Sequence, residues 1–321
     1  MDRHMSTHPD EQPDEDPTAA NARWREAMIS AYTRFHELGW SRKKTFPGLV
    51  SFTIADDASQ ANGSFQWSWS VPSAVRETIN GINAWAMRLH EWATWIELLP
   101  EYDDETRWEI AYHFVEPLAF FAMYQPRAVA ERLLEVAETA LHHANCFTIP
   151  NTKDRLDQDT LKPGTRFSMR QRLAQLDRLG SHWNAYRRFR DLWTQIDSKT
   201  YRKHSRDFRN LTSHSFGPRF HTGEILRAHR SVGPAPVTVE QPDGTYQIAE
   251  DPTRTCVSYE FGVIEPLEFA AAYKANLEEF QITKRSIDAL HQLIVELVEA
   301  MNTRHAGLKI KELGGTSTHE S

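Results

Sequence analysis

Residues 168–196 read SMRQRLAQLDRLGSHWNAYRRFRDLWTQI and form the most informative helical stretch of the sequence. Its bulky apolar side chains recur at spacings of three and four, which places them on one broad stripe of a helix. The pattern predicts a long amphipathic helix that begins near Ser168. A kink near Asp197 and Ser198 separates it from a continuation through Tyr201 and Phe208. The stripe consists of Leu173, Leu176, Leu179, Trp183, Tyr186, Phe189, Trp193 and Ile196.

The same helical period recurs through most of the chain, so we expect a mainly α protein. Pro72 and Pro126 suit the first turns of two of these helices, and Asp103 or Asp104 suits an N-cap. The last helix has an apolar stripe that includes Leu290 and Ile294. Besides the stretch above, helices are predicted near 20–39, 72–99, 104–123, 126–145 and 266–304.

Two regions have the alternating pattern of strands instead. Between about 48 and 70, Val50, Phe52 and Ile54 alternate with polar residues, as do Phe65, Trp67 and Trp69, and an Asn-Gly pair lies between the two runs. This predicts a small β-hairpin near the front of the domain. An irregular insertion is predicted over about 217–264, with short strands at 237–240, 245–248 and 255–263 around an Asp-Gly turn.

The domain organisation follows from composition. Residues 1–19 are rich in acids and proline, which predicts a disordered acidic tail. Residues 20–305 are expected to form one helical domain, and 306–321 a loose C-terminal tail. The polar, turn-rich stretch 148–165 leaves open a subdomain edge.

Charge and cysteine content exclude several classes of protein. The formal net charge is −7, so a nucleic-acid surface has to be local. The two cysteines, Cys146 and Cys256, form no CxxC pair, which argues against a disulfide scaffold or a zinc knuckle. We expect no membrane span, no secretory signal, no metal and no cofactor, and a cytoplasmic location.

The exception to the acidic balance is the basic window, residues 182–230. It contains eleven Lys or Arg and only four acidic residues. Such a window can bind a phosphate backbone, although a solvated helix face is the alternative. The basic residues are Arg187, Arg188, Arg190, Lys199, Arg202, Lys203, Arg206, Arg209, Arg219, Arg227 and Arg230.

Within the basic window, residues 208–214 read FRNLTSH. The spacing Arg-Asn-x-x-x-His, late in a helical core and before the last helix, resembles the ribonuclease motif of the HEPN superfamily. The resemblance is sharp over about seven residues and broad over the helical core. An Arg and a His also occur at this spacing at Arg3 and His8, and slightly farther apart at Arg107 and His113.

The residue types suit metal-independent RNA cleavage, in which the 2′-OH attacks the adjacent phosphate. His214 would transfer protons near pH 7, and Arg209 would stabilise charge on the phosphoryl oxygens. Residues five apart on a helix point about 140° away from each other, so the two converge only if the helix ends or bends between them.

The resemblance implies another solution, a homodimer in which two Arg–His sets face one cleft. It also implies an endoribonuclease of the toxin or phage-defence type, with an antitoxin or regulatory partner as a further possibility. Asn210 would orient the catalytic pair. Arg202, Lys203, Arg206 and Arg219 would hold the RNA backbone.

Less specific patterns remain as alternatives. A non-catalytic HEPN relative that binds RNA, a nucleotide or a protein would use the same basic window without chemistry at His214. The pairs Glu109/His113 and Glu138/His142 have the spacing of helical salt bridges or core hydrogen bonds. The aromatic run at 65–69 could stack nucleic-acid bases or pack on the helical core.

Overall fold

The computed structural model describes residues 17–41, 46–214, 217–220, 225–264 and 266–315. Helices dominate, as the periodicity predicts. Among the described residues no helix is both long and apolar enough to cross a membrane. The helices are α1 (Pro17–Ser41), α2 (Thr53–Ala58), α3 (Phe65–Leu98), α4 (Asp104–Ile110), α5 (Glu116–Thr148), α6 (Met169–Gly180), α7 (Asn184–Trp193), α8 (Lys199–His204), α9 (Phe208–His214) and α10 (Phe269–Gly315).

Three long helices, α3, α5 and α10, enclose the core. α3 and α10 both pack along α5, and α7 packs on α10. Trp85, Trp92 and Trp95 lie on the buried side of α3. Their spacing of seven and three residues is that of one helix face, so the apolar stripe alone explains why α3 is buried here.

A single asparagine of α10 connects four helices at the centre of this core. Asn276 accepts a hydrogen bond from Trp85 Nε1 of α3 (2.7 Å), and its amide group donates to the carbonyl of Ala122 in α5 (3.1 Å) and to Tyr201 Oη of α8 (2.8 Å). Asn276 has no exposed surface. Burying this amide is tolerable because its groups find partners.

The same contact explains why α5 runs through Pro126, where a helix start was predicted. Proline has no N–H, so the carbonyl four residues earlier, that of Ala122, loses its helical partner. Asn276 supplies the missing donor. Pro72 likewise lies inside α3. Both prolines therefore sit within helices, and neither begins one. A π-helical turn, Ala111–Val115, joins α4 to α5.

The predicted β-hairpin near 48–70 is wrong, because that region forms α2 and the start of α3. Ser64 caps α3 by accepting a hydrogen bond from the N–H of Trp67 (3.2 Å). The Trp67 side chain is buried and donates to the carbonyl of Ala58 (2.8 Å). Phe65 and Trp69, one turn apart, are 79% and 76% exposed. The alternation thus marks one buried and two exposed positions of a helix.

The predicted long helix from Ser168 is also interrupted, and α6 to α9 replace it. At the first break, a side chain at Gly180 would collide with the ring of Tyr186. Asn145 binds both sides of this break, because it donates to the carbonyl of Leu179 (2.9 Å) and accepts from Trp183 Nε1 (2.8 Å). Apolar periodicity persists across the break, so the pattern alone could not reveal it.

The insertion before α10 is more regular than predicted. Strands β1 (Ile225–Glu240) and β2 (Tyr246–Ile264) pair antiparallel in one long two-stranded ribbon. The predicted strands and the Asp243-Gly244 turn are confirmed, for example by the pairing of Val239 with Gln247. The register shifts once, between Pro234 and Ala235.

At the ends of the chain, the predicted tails fall only partly within the described residues. α1 already begins at Pro17, and residues 1–16 lie outside the described part. At the other end α10 continues to Gly315, beyond the predicted start of a loose tail at 306. Residues 316–321 again lie outside the described part.

Candidate active site

α9 carries the Arg-Asn-x-x-x-His segment and is anchored by one aromatic side chain. Phe208 is 1% exposed and packs against Phe120 of α5 and Phe220, with ring centroids 5.2 and 5.3 Å away. Near the other end of α9, Ser213 Oγ lies 3.4 Å from Tyr124 Oη. With Phe208 buried, Arg209, Asn210, Ser213 and His214 are exposed, while Leu211 and Thr212 are half-buried.

Arg209 and His214 are both exposed on α9. The helix contains both residues without a break, so the bend that would bring them together in one protomer is missing. At about 100° per residue their directions differ by roughly 140°. A single chain therefore offers an accessible imidazole and an accessible guanidinium, but aims them at different parts of the surface.

The side chain of Asn210 bonds to Asp207 rather than to Arg209 or His214 among the described residues. Its Nδ2 donates to Asp207 Oδ2 at 2.9 Å, across the start of α9. Arg206 and Asp207 both have left-handed backbone angles, with φ of 49° and 50°. Two successive non-glycine residues in this region store backbone strain, which is commonest at functional sites and switch regions. Here they make the sharp turn that separates α8 from α9.

The residues expected to hold RNA differ in how available their charges are. Arg202 Nη2 lies 2.7 Å from Asp197 Oδ2, so part of its charge is already neutralised. Lys203 is exposed at the end of α8. Burial raises the pKa of the Glu116 carboxyl above its ordinary value, and the positive charge of Arg219 opposes that rise. Arg219 thus faces an acid as well as solvent.

The rest of the basic window is spread over several elements. On α7, Arg190 Nε lies 2.9 Å from Asp177 Oδ1, and Arg188 Nη1 donates to Gln292 Oε1 at 3.2 Å. Arg227 and Arg230 belong to β1. The window is therefore a set of partly paired charges on different helices and the ribbon, and less of its positive charge is free than the sequence count suggests.

The two Glu/His patterns behave differently from each other. Glu109 Oε2 lies 3.2 Å from His113 Nε2, so this pair forms the expected helical salt bridge. Glu138 instead accepts hydrogen bonds from Gln175 Nε2 (2.6 Å) and Arg172 Nη2 (3.0 Å) of α6. The predicted core hydrogen bonds are confirmed for Glu138, but its partners come from α6 and not from His142.

His142 belongs to a cluster that the sequence analysis overlooked. Its Nε2 lies 2.7 Å from Asp154 Oδ1 and 3.9 Å from Cys146 Sγ. Ligand atoms of the three residues all lie within 4.8 Å of one another. The spacing of His142 and Cys146, four apart on a helix, was the available signal, but Asp154 comes from a loop whose position no local pattern predicts.

Comparison with protein-family models, curated proteins and solved structures finds no significant match to this chain or its fold. The candidate site therefore has to be judged on its own residues.

Proposed function

We propose that the chain is a metal-independent endoribonuclease of the toxin or phage-defence type, acting in the cytoplasm as a homodimer with a HEPN-like core. His214 acts as general base or acid, Arg209 stabilises phosphoryl charge, and Asn210 helps to orient them. Lys203, with Arg202, Arg206 and Arg219, binds the RNA backbone. An antitoxin or regulatory partner would fit this class of protein.

One observation carries the proposal. His214 and Arg209 are exposed on a short helix whose attachment depends on Phe208 and neighbouring aromatic rings. A histidine serving only to cap a helix would be expected against backbone carbonyls. An exposed imidazole and an exposed, permanently charged guanidinium on one short helix are the groups that 2′-OH attack requires.

The 140° between the two side chains determines how the site has to be assembled. Since one protomer cannot direct both at the same phosphate, we propose that the Arg209 of one protomer works with the His214 of its partner. Two-fold symmetry then creates two equivalent composite sites at one seam.

The first experiment measures cleavage of total RNA and of tRNA in EDTA. Wild-type protein is expected to cut both and to leave a 2′,3′-cyclic phosphate, and to leave DNA intact because DNA lacks the 2′-OH. His214→Ala and Arg209→Ala should each slow cleavage by about 10²–10⁴-fold. A His214→Ala protein as fast as wild type, or a wild type that needs Mg²⁺, would overturn the mechanism.

The second experiment mixes the two inactive variants. If each site combines residues of both protomers, half of randomly formed dimers are mixed and each mixed dimer has one intact site. Co-refolded Arg209→Ala and His214→Ala proteins should then recover about a quarter of wild-type activity. The composite site would be contradicted if the mixture recovers no cleavage activity although differently tagged copies show that mixed dimers have formed.

A non-catalytic RNA- or protein-binding role is the second candidate function. The divergence of Arg209 and His214 favours this role if the protein is a monomer, because one chain then has no complete catalytic pair. Its signature would be RNA binding that weakens steeply with salt but no cleavage. Binding should then be reduced by Lys203→Glu and unaffected by His214→Ala. Light scattering at micromolar concentrations separates the two, because the catalytic proposal requires a mass of twice the 37.1 kDa chain.

A further inference from the structure

The cluster at the C-terminal end of α5 offers three different metal-ligating groups. His142 and Cys146 are one helical turn apart, so their side chains lie on the same face of α5. The loop that follows α5 folds back and brings the carboxylate of Asp154 to 2.7 Å from His142 Nε2. The thiol of Cys146 also lies 3.8 Å from the carbonyl of Lys153 in that loop.

We propose that His142, Cys146 and Asp154 form a Zn²⁺ site in which the fourth coordination position is open to solvent. Imidazole, thiolate and carboxylate together suit Zn²⁺, whereas Mg²⁺ and Ca²⁺ prefer oxygen ligands alone. Three protein ligands and a water complete a tetrahedral shell.

Two of the three ligand–ligand distances are close to those that such a shell requires, and all three lie within 4.8 Å. With usual Zn–N, Zn–S and Zn–O lengths, ligand atoms on a tetrahedral ion stand roughly 3.3–3.8 Å apart. The separation of His142 Nε2 from Cys146 Sγ is 3.9 Å, and that from Asp154 Oδ1 is 2.7 Å. For Zn²⁺ to bind, the distance between His142 Nε2 and Asp154 Oδ1 has to increase by about half an ångström. The Asp154 side chain is 78% exposed and sits in a loop, so it is free to make that movement.

Burial differs among the three ligands in a way that suits a half-open site. The His142 side chain is only 7% exposed, which fixes one ligand in the body of the protein, while Asp154 faces solvent. Beside His142 lies a cavity of about 290 Å³, which Thr152, Leu156 and Leu179 also line. The imidazole of His142 therefore borders open space, whereas Cys146 and Asp154 are not part of the cavity lining.

The metal would act at a distance from the proposed RNA site. Tyr124, which contacts α9, and His142 are eighteen residues apart on α5, or roughly 27 Å along the helix. Zn²⁺ would tie the loop after α5 to that helix, and would leave the cleavage step at Arg209 and His214 independent of EDTA.

The test uses full-length protein stripped of metal and titrated with Co²⁺, then with Zn²⁺ as competitor. A thiolate-to-cobalt charge-transfer band with tetrahedral d–d absorption is expected at one equivalent, and Zn²⁺ should abolish both. Cys146→Ser should lose the charge-transfer band. Asp154→Asn should weaken Zn²⁺ binding by about 10-fold or more, since even outer-shell changes cost about 10–100-fold.

Two matched controls make the result specific. Cys256→Ser removes the other free thiol, on β2, and His143→Ala removes the adjacent imidazole; both should bind like wild type. His142 itself is avoided because its burial couples the substitution to folding. Absence of the band in wild type, or stoichiometric Zn²⁺ binding retained by Cys146→Ser at unchanged affinity, would overturn the proposal.

Discussion

Asn276 and His214 are both polar residues on helices, but they occupy opposite environments. The side chain of Asn276 is fully buried and hydrogen-bonded to three other helices. The side chain of His214 is exposed on α9, whose attachment depends largely on Phe208. The first residue is held by the fold and stabilises it, whereas the second is available to a ligand.

This contrast teaches that polarity alone identifies neither role. A buried amide with satisfied partners stabilises the core, because removing it leaves its partners without hydrogen bonds. An exposed imidazole contributes little to stability, so its presence has to be explained by something else. The free energy of unfolding separates the two regions, because substitutions should lower it at Asn276 and leave it nearly unchanged at His214.

Among the polar residues, the largest effect is expected for Asn276→Ala. It would leave Trp85 Nε1, the carbonyl of Ala122 and Tyr201 Oη without this partner, each at about 1–3 kcal/mol. We expect the free energy of unfolding, measured with urea, to fall by about 4 kcal/mol. Asn80→Ala, at an exposed position of α3, is the matched control and should change it by less than about 0.5 kcal/mol.

A second effect concerns Glu279, which lies near Asn276 on α10 and is 3% exposed. Burial raises the pKa of its carboxyl from 4.5 to about 7; the N–H of Asp197 opposes this rise, and the carboxylates of Asp197 and Glu278 add to it. Between these pH values the folded state binds more protons than the unfolded state. The free energy of unfolding therefore decreases as the pH rises through this window.

Glu279→Gln should remove this pH-dependent decrease in the free energy of unfolding. At pH 5 the variant and wild type should be nearly equally stable, and at pH 8 the variant should be more stable by on the order of 3 kcal/mol. Gln retains an oxygen that can accept from the N–H of Asp197, which donates to Glu279 Oε2 at 2.9 Å. Parallel urea curves at the two pH values test this, and a difference that does not depend on pH would contradict it.

Buried helices were the part of the fold that sequence could predict. The stripe of α10 follows directly from apolar spacing, because burial of one face outweighs other preferences. The same spacing predicted the helix near residues 20–39, although only Met28 and Ala31 of α1 are buried. The same reasoning failed at 65–69. There, alternation fits a strand or a helix, and only the cap at Ser64 and the burial of Trp67 distinguish them.

The break near Gly180 could not be predicted because a long-range partner determines it: Asn145 of α5 binds both of its sides. The break at Asp197 and Ser198 was predicted as a kink and is confirmed, and Glu279 of α10 binds the N–H of Asp197 there. At the candidate site, the motif located Arg209 and His214 at an exposed surface. The motif could not indicate that the side chains of Arg209 and His214 diverge, or that Arg202 pairs with Asp197. Both features depend on how the breaks orient the short helices.

A third, smaller effect is expected at the ion pair on α8. Arg202 is 47% exposed in its side chain, so its contact with Asp197 is screened by water. Arg202→Ala should lower the free energy of unfolding by less than about 1 kcal/mol, and the difference should shrink in high salt. Unfolding curves at low and high salt measure it. A decrease of several kcal/mol in the free energy of unfolding would instead mean that Arg202, like Asn276, stabilises the fold.

The smallest effect is expected at α9 itself. His214→Ala and Arg209→Ala remove exposed side chains, so each should change the free energy of unfolding by less than about 0.5 kcal/mol. Phe208→Ala is the contrasting variant on the same helix, because it removes a fully buried ring and should cost about 3–5 kcal/mol. Urea unfolding of the three variants measures this ordering.

This ordering is what allows the cleavage experiment to be interpreted. If His214→Ala unfolds like wild type and still loses RNA cleavage, the loss belongs to chemistry or RNA contact at the imidazole. If it is destabilised as strongly as Phe208→Ala, His214 supports the fold, and the contrast between α9 and the Asn276 core fails. Circular dichroism of each variant, taken before the activity assay, shows which of the two applies.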